Sequence, residues 1–222
     1  MKNNFKLIIN MKTYSESTNK KAIKLAEVCK ELQKEAKKRN VEIILCPQNL
    51  DLKDVVKSKV KTYSQHIDVC SPGANTGFIV PYNVKDCGAN GTLISHSEHI
   101  LETKEINKRI KLSKELGLES CVCARDVKTA RKLAKYNPDF IAVEPAELIG
   151  GDISISTANP KLIEQSVKAC GEVPLLVGAG VKNGNDVKIA VELGAKGILV
   201  ASGVVKAKNK KKVILDLLKG FE

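Results

Sequence analysis

Residues 140–151 read Phe140-Ile-Ala-Val-Glu144-Pro-Ala-Glu-Leu-Ile-Gly150-Gly151, a short apolar run that ends on a carboxylate and gives way to a proline and a double glycine. An apolar run this short, closed by turn formers, suits a strand buried on both faces, as in a parallel sheet covered by helices. A carboxylate at the C-terminal end of such a strand sits at the mouth of an α/β sheet. There it is partly removed from water and can serve as a base. A glutamate that caps a helix or lies in solvent fits the same string. The choice rests on what else converges on that mouth.

The same pattern recurs along the chain. Eight short apolar runs occupy residues 6–10, 41–46, 60–64, 91–95, 119–124, 140–144, 174–178 and 197–201, each followed by a longer segment. Several of those segments carry apolar residues at helical spacing with charges between them. Ala22, Ile23, Leu25, Ala26, Cys29, Leu32 and Ala36 form one such face, and Ile106, Ile110, Leu112 and Leu116 another. After the third run, Ser71-Pro-Gly-Ala-Asn-Thr-Gly77 predicts a long loop before a brief helix ending near Gly88. Asn90-Gly91, Gly117 and Gly194 mark further helix ends.

Strand and crossover repeated eight times, with no linker or low-complexity tract, predict a parallel sheet with helices outside. At 222 residues the units fit a closed (β/α)₈ barrel, one domain over residues 1–222, slightly under the ~250 residues typical of that fold. The competing architecture is an open doubly wound sheet. Its dinucleotide-binding form needs G-x-G-x-x-G after the first strand, where this chain has Ile-Ile-Asn10-Met-Lys12. The later Gly178-Ala-Gly180-Val-Lys-Asn183 lacks the third glycine.

Composition agrees with layered α/β packing. Apolar residues make up 43% of the chain but aromatics only 4%, with no Trp, so Ile, Val, Leu and Ala must build the core. Seven cysteines are scattered without a C-x-x-C pair, which fits neither a disulfide framework nor a zinc site. They read as small buried hydrophobes in a reducing cytoplasm. No signal-like N-terminus and no run of ~20 apolar residues is present, so a soluble protein without a membrane partner is expected. The net charge of +12 is almost all lysine, since only four of the 37 basic residues are arginine. The lysines spread over nearly every helical segment, and few aromatics are available to stack on bases. That distribution favours solvated helix faces first, steering of an anionic substrate second and nucleic acid last.

In a barrel, chemistry gathers at the C-terminal ends of the strands. Those ends carry Asn10 with Lys12 two residues on, Ser95-His96-Ser97-Glu98, and Glu144. Gly178-Ala-Gly180 and Ala201-Ser202-Gly203 follow the last two runs as small-residue turns before helices, where main-chain N–H groups can approach a phosphate. Each has an ordinary alternative: a solvated lysine, a structural histidine, a glycine present for packing. Together, an amide, a cation, an imidazole, a carboxylate and a phosphate cradle are the parts needed to move a proton α to a carbonyl.

Five motifs in order, Asn10-x-Lys12-Thr-Tyr14, Ser95-His96-Ser97-Glu98, Val143-Glu144-Pro-Ala-Glu147-Leu-Ile-Gly150, Gly178-Ala-Gly180 and Leu199-Val-Ala-Ser-Gly-Val-Val-Lys-Ala207, resemble triosephosphate isomerase in its compact archaeal form. The resemblance runs from the first strand to the last helix. It implies interconversion of dihydroxyacetone phosphate and D-glyceraldehyde 3-phosphate through an enediolate, without metal or organic cofactor, in glycolysis and gluconeogenesis. Triosephosphate isomerase is itself a standard example of acid–base tuning and of lid closure, so the roles that follow come with the family. Glu144 would be the base, His96 a neutral hydrogen-bond donor, and Asn10 and Lys12 would stabilise the enediolate. Ile149, Gly150, Gly180, Ala201 and Ser202 would bind the phosphate. Ser97 would hold Glu144 in the open state, Glu98 would pair with Lys12, and Thr76 would enter a neighbouring subunit to support Asn10 and His96. A homodimer is then the minimum assembly, and the archaeal form points to a tetramer.

The chain departs from the family in three places. Gly150-Gly151-Asp152 stands where Gly-Thr-Gly is usual, implying a less restrained lid with a negative charge near the phosphate loop. Ile100 replaces a common arginine, and Phe78 occupies a position often polar at the subunit contact. Two rivals stay open at this stage. One is another phosphate-binding barrel isomerase or epimerase, and the other a basic polyanion-binding protein on an inactive barrel.

Overall fold

The computed structural model describes residues 5–144 and 160–222. Eight strands, β1 (Phe5–Asn10), β2 (Val41–Cys46), β3 (Lys61–Ser64), β4 (Gly91–Ile94), β5 (Glu119–Ala124), β6 (Phe140–Val143), β7 (Leu175–Val177) and β8 (Gly197–Val200), pair in chain order, every pair parallel. The sheet closes where β8 pairs with β1, from Lys6 opposite Gly197 to Ile9 opposite Val200. This is the (β/α)₈ barrel, and each strand lies within one residue of its predicted run at either end.

The crossovers hold α1 (Lys20–Lys38), α2 (Leu52–Val56), α3 (Pro81–Asp86), α4 (Thr103–Glu115), α5 (Val127–Ala134), α6 (Pro160–Cys170), α7 (Gly184–Glu192), α8 (Ser202–Val205) and α9 (Lys210–Lys219). Alternation along the strands divides the core. Ile8, Ile44, Cys46, Tyr63, Leu93, Cys121, Cys123, Ala142, Leu176 and Leu199 fill the barrel. Their neighbours Leu7, Ile9, Ile43, Leu45, Ile141, Val143 and Val200 face outward onto the helices. Both faces are therefore dry, which is why the strands read as unbroken apolar runs.

Some local readings shift. Ile23 is on the exposed edge of α1, whereas Ala22, Leu25, Ala26, Cys29, Leu32 and Ala36 are buried as expected. On α4 the buried face is Ile106, Arg109, Ile110 and Ser113, with Leu112 only half-buried. Arg109 can turn inward because its Nε donates to the Ile67 carbonyl at 2.8 Å and its guanidinium pairs with Glu105. Gly88, at φ 92°, follows α3, and Gly91 begins β4 instead of ending a helix. A Cβ at Gly91 would meet the Glu119 carbonyl and the Tyr63 ring. Five cysteines are buried as predicted, but Cys70 and Cys87 are half-buried.

The floor of the barrel, at the N-terminal ends of the strands, is closed by charge. Lys6 Nζ lies 2.6 Å from Glu42, and Lys61 bridges Glu42 and Glu119 at 2.9 and 2.8 Å, while the Tyr63 hydroxyl donates to Glu119. Burial works against the Lys61 ammonium, but the two carboxylates outweigh it and raise its pKa. Among the described residues no helix is long and apolar enough to cross a membrane.

Candidate active site

Asn10 is the last residue of β1 and is buried, and its Oδ1 accepts the Lys12 main-chain N–H at 3.0 Å. This short turn carries Lys12 at φ 46°, a left-handed conformation that a residue with a Cβ adopts at a cost of about 1–3 kcal/mol unless its surroundings hold it. Its Nζ is 2.6 Å from Glu98 Oε1. The pair implied by the resemblance is thus formed, across two strand ends.

A second left-handed residue, Ser95 at φ 59°, lies between β4 and His96. Its Oγ accepts the Leu101 N–H at 3.1 Å, which holds the turn while His96 points into the barrel mouth. The Glu98 main-chain N–H donates to His96 Nδ1 at 3.2 Å. That contact occupies the Nδ1 lone pair and leaves the ring proton on Nε2. The Glu98 carboxylate also lies 3.6 Å from Nδ1, but it can only accept and so makes no hydrogen bond to a ring nitrogen that is already an acceptor. His96 Nε2 faces Glu144 Oε1 at 3.5 Å.

Glu144 follows β6, its N–H donating to the Ala124 carbonyl at 2.9 Å, and only 4% of it is exposed. Two features confine its side chain. Gly178 lies so close that a Cβ there would fall 2.4 Å from Glu144 Cγ. On the other side is Cys123. Burial first, and the neighbouring Glu144 carboxylate second, push its thiol well above the usual range, so it remains protonated. Glu144 Oε2 and Ser97 Oγ are both buried, and neither has a hydrogen-bond partner among the described residues. The Ser97–Glu144 hydrogen bond implied for the open state is therefore not made in this arrangement.

These groups open onto a cavity of about 410 Å³ lined by Asn10, Lys12, His96, Glu144, Gly180 and Ser202, with Ala201 beside it. Gly180 has φ 68°, a turn geometry that favours glycine, and α8 begins at Ser202. A larger groove of about 920 Å³ between α4 and α5 also reaches Glu144, but its floor is mainly apolar. The smaller cavity holds the convergent polar groups and is the better site for a polar, charged ligand. Ile149 and Gly150, and the departure at Gly151-Asp152, lie outside the described residues. Thr76 is exposed and does not line the cavity, and Phe78 and Ile100 are exposed as well. No cluster of three or more His, Cys, Asp or Glu among the described residues is arranged to hold a metal ion.

Two residues were missed by the sequence reading. Gly178 reads from sequence only as part of a phosphate turn, although its lack of a side chain makes room for Glu144. Gln65 was not noted at all, yet its Nε2 donates to the Lys12 carbonyl at 2.9 Å. It directly follows β3, so the strand-end rule that found His96 would have found it too.

The family-level comparison agrees with this geometry. A sequence profile described as triosephosphate isomerase matches residues 5–219. The chain is 43% identical over 218 residues to triosephosphate isomerase of Methanocaldococcus jannaschii, covering 96% of this chain and 98% of that one. It is 41% identical over 217 residues to the enzyme of Methanothermus fervidus, covering 96% of each. Against that of Methanobacterium bryantii the figure is 42%, covering 96% of this chain and 95% of the other. With a closed eight-stranded barrel, a paired histidine and glutamate at its mouth and a match over almost its whole length, the chain belongs to the triosephosphate isomerase family.

Proposed function

We propose that this protein interconverts dihydroxyacetone phosphate and D-glyceraldehyde 3-phosphate. The observation that carries the reading is the approach of His96 Nε2 to Glu144 Oε1 at 3.5 Å, with Nδ1 already occupied by the Glu98 N–H. A carboxylate and an N–H donor then stand side by side on the wall of the cavity, where both can reach a carbonyl and its α carbon. Glu144 takes a proton from the hydroxyl-bearing carbon beside the carbonyl, the electron pair moves to oxygen, and an enediolate forms. His96 donates its Nε2 proton in a hydrogen bond to the substrate oxygens and mediates proton movement between them. Glu144 returns its proton to the neighbouring carbon, so no atom is gained or lost.

Lys12 and Asn10 oppose the negative charge that develops on oxygen, and removing one such preorganised donor typically costs ~3 kcal/mol of barrier. Gly180, Ala201 and Ser202 bind the phosphate through main-chain groups, and membership of the family adds Ile149 and Gly150. Holding the phosphate away from the reacting carbons lets remote binding energy orient them. The protein acts as a homo-oligomer in the cytoplasm, with the loop around Thr76 and the exposed Phe78 at the subunit contact, and takes neither nucleic acid nor a membrane as partner.

The reaction run in D₂O and followed by NMR tests the reading. An enediolate formed by a side-chain base incorporates solvent deuterium at the carbon that receives the proton. Product free of solvent deuterium at every stage of turnover would point to direct hydride transfer instead.

A further inference from the structure

We infer that Gln65 is a positioning residue for Lys12, fixing the strained main chain from which the ammonium reaches the active-site mouth. The inference rests on the proposed reaction, in which Lys12 meets the substrate.

Gln65 leaves β3 at its C-terminal end and is half-buried. Its Nε2 donates to the Lys12 carbonyl at 2.9 Å and to the Cys46 carbonyl at 3.0 Å, so both amide hydrogens are used. The Cys46 carbonyl also accepts the Met11 N–H at 3.0 Å. The regular ladders stop short of this point: β1 and β2 last pair at Asn10 and Cys46, and β2 and β3 at Leu45 and Thr62. One side chain therefore joins three strand ends at the point where the regular ladders run out.

What it holds is an unfavourable conformation. Lys12 is at φ 46°, and relaxation toward an extended backbone would swing its side chain away from Glu98 and the cavity. At its far end Lys12 is tied to Glu98, but 57% of the Glu98 side chain is exposed, so water weakens that pair. The tie to Gln65 is at the backbone and better shielded. It can therefore set where the lysine stands.

Gln65→Met keeps the length of the side chain and removes both donors. Turnover of triose phosphate falls about 10- to 100-fold, the range expected when a charged group shifts by an ångström or so. Calorimetric binding of 2-phosphoglycolate, a phosphate monoester whose carboxylate resembles an enediolate, weakens by about tenfold, with melting within a few degrees of wild type. The deciding comparison is the same substitution in a Lys12→Ala background, where it should change 2-phosphoglycolate affinity less than about twofold, because coupled residues are non-additive. An equal loss in both backgrounds means that Gln65 acts through the sheet and not through Lys12, and overturns the inference. If Gln65→Met does not fold, Gln65→Glu, which has the same length and no donor when ionised, is put through the same cycle. Wild-type protein without turnover contradicts the proposed reaction; an active wild type matched by an equally active Gln65→Met contradicts only this inference.

Discussion

His96 Nδ1 accepts the main-chain N–H of Glu98 at 3.2 Å, and this contact decides what the other face of the ring can do. With Nδ1 an acceptor, Nε2 carries the proton and presents it at 3.5 Å from Glu144. The expected consequence is that His96→Gln, which cannot reproduce both contacts, lowers kcat by about 10²- to 10⁴-fold without unfolding the barrel. Steady-state kinetics with a thermal melt checks it.

Gly178 and Glu144 give a steric prediction. A Cβ at position 178 would lie 2.4 Å from Glu144 Cγ and 3.1 Å from Oε1, so Gly178→Ala must displace the Glu144 side chain. Activity drops on the order of 10²-fold, as for an ångström-scale misplacement. The effect should fall on kcat more than on KM if Glu144 acts on the reacting carbon, as proposed.

Glu98 and Lys12 form a contact of 2.6 Å whose acidic partner is 57% exposed. Stability should change by no more than ~1 kcal/mol in Glu98→Gln, as for other solvent-facing pairs. KM should rise several-fold as the ammonium loses its tie to Glu98. Comparing denaturant midpoints with KM separates the two effects.

Most of this site was legible in the sequence because barrel chemistry is confined to strand ends, and the ends of eight runs can be read directly. The runs stood out because their two buried faces left no polar alternation, as in Phe140–Val143. Contacts between side chains distant in the chain could not be read in the same way. Nothing in the string says that Gly178 leaves room for Glu144, or that Gln65 reaches back 53 residues to Lys12. Periodicity also failed at Arg109, because long-range partners at Ile67 and Asp68 made burial of a charge acceptable.

Beside the site, the His66 ring stacks on His99 at 4.2 Å and lies 3.2 Å from Asp68, with Arg109 behind Asp68. Burial lowers the His66 pKa first, and although Asp68 pulls it upward, the net shift is down. The unfolded chain therefore takes up the His66 proton at a higher pH than the folded one. Its contribution to stability is complete above the ordinary imidazole value of about 6.5 and declines as pH falls from there toward the lowered folded value. Urea midpoints between pH 8 and pH 5 should fall less steeply in His66→Asn than in wild type. Equal slopes would show that this ring does not drive the acid sensitivity.

The central claim is that Glu144 is the base of a triose-phosphate isomerase. It is tested most directly by the coupled assay for conversion of D-glyceraldehyde 3-phosphate to dihydroxyacetone phosphate, run on wild type and on Glu144→Asp. Wild type should turn over, and Glu144→Asp, with its carboxylate drawn back by about 1 Å, should lose on the order of 10²-fold in rate with little change in affinity. A well-folded wild type without turnover, or a Glu144→Asp enzyme within a few-fold of wild type, would contradict it.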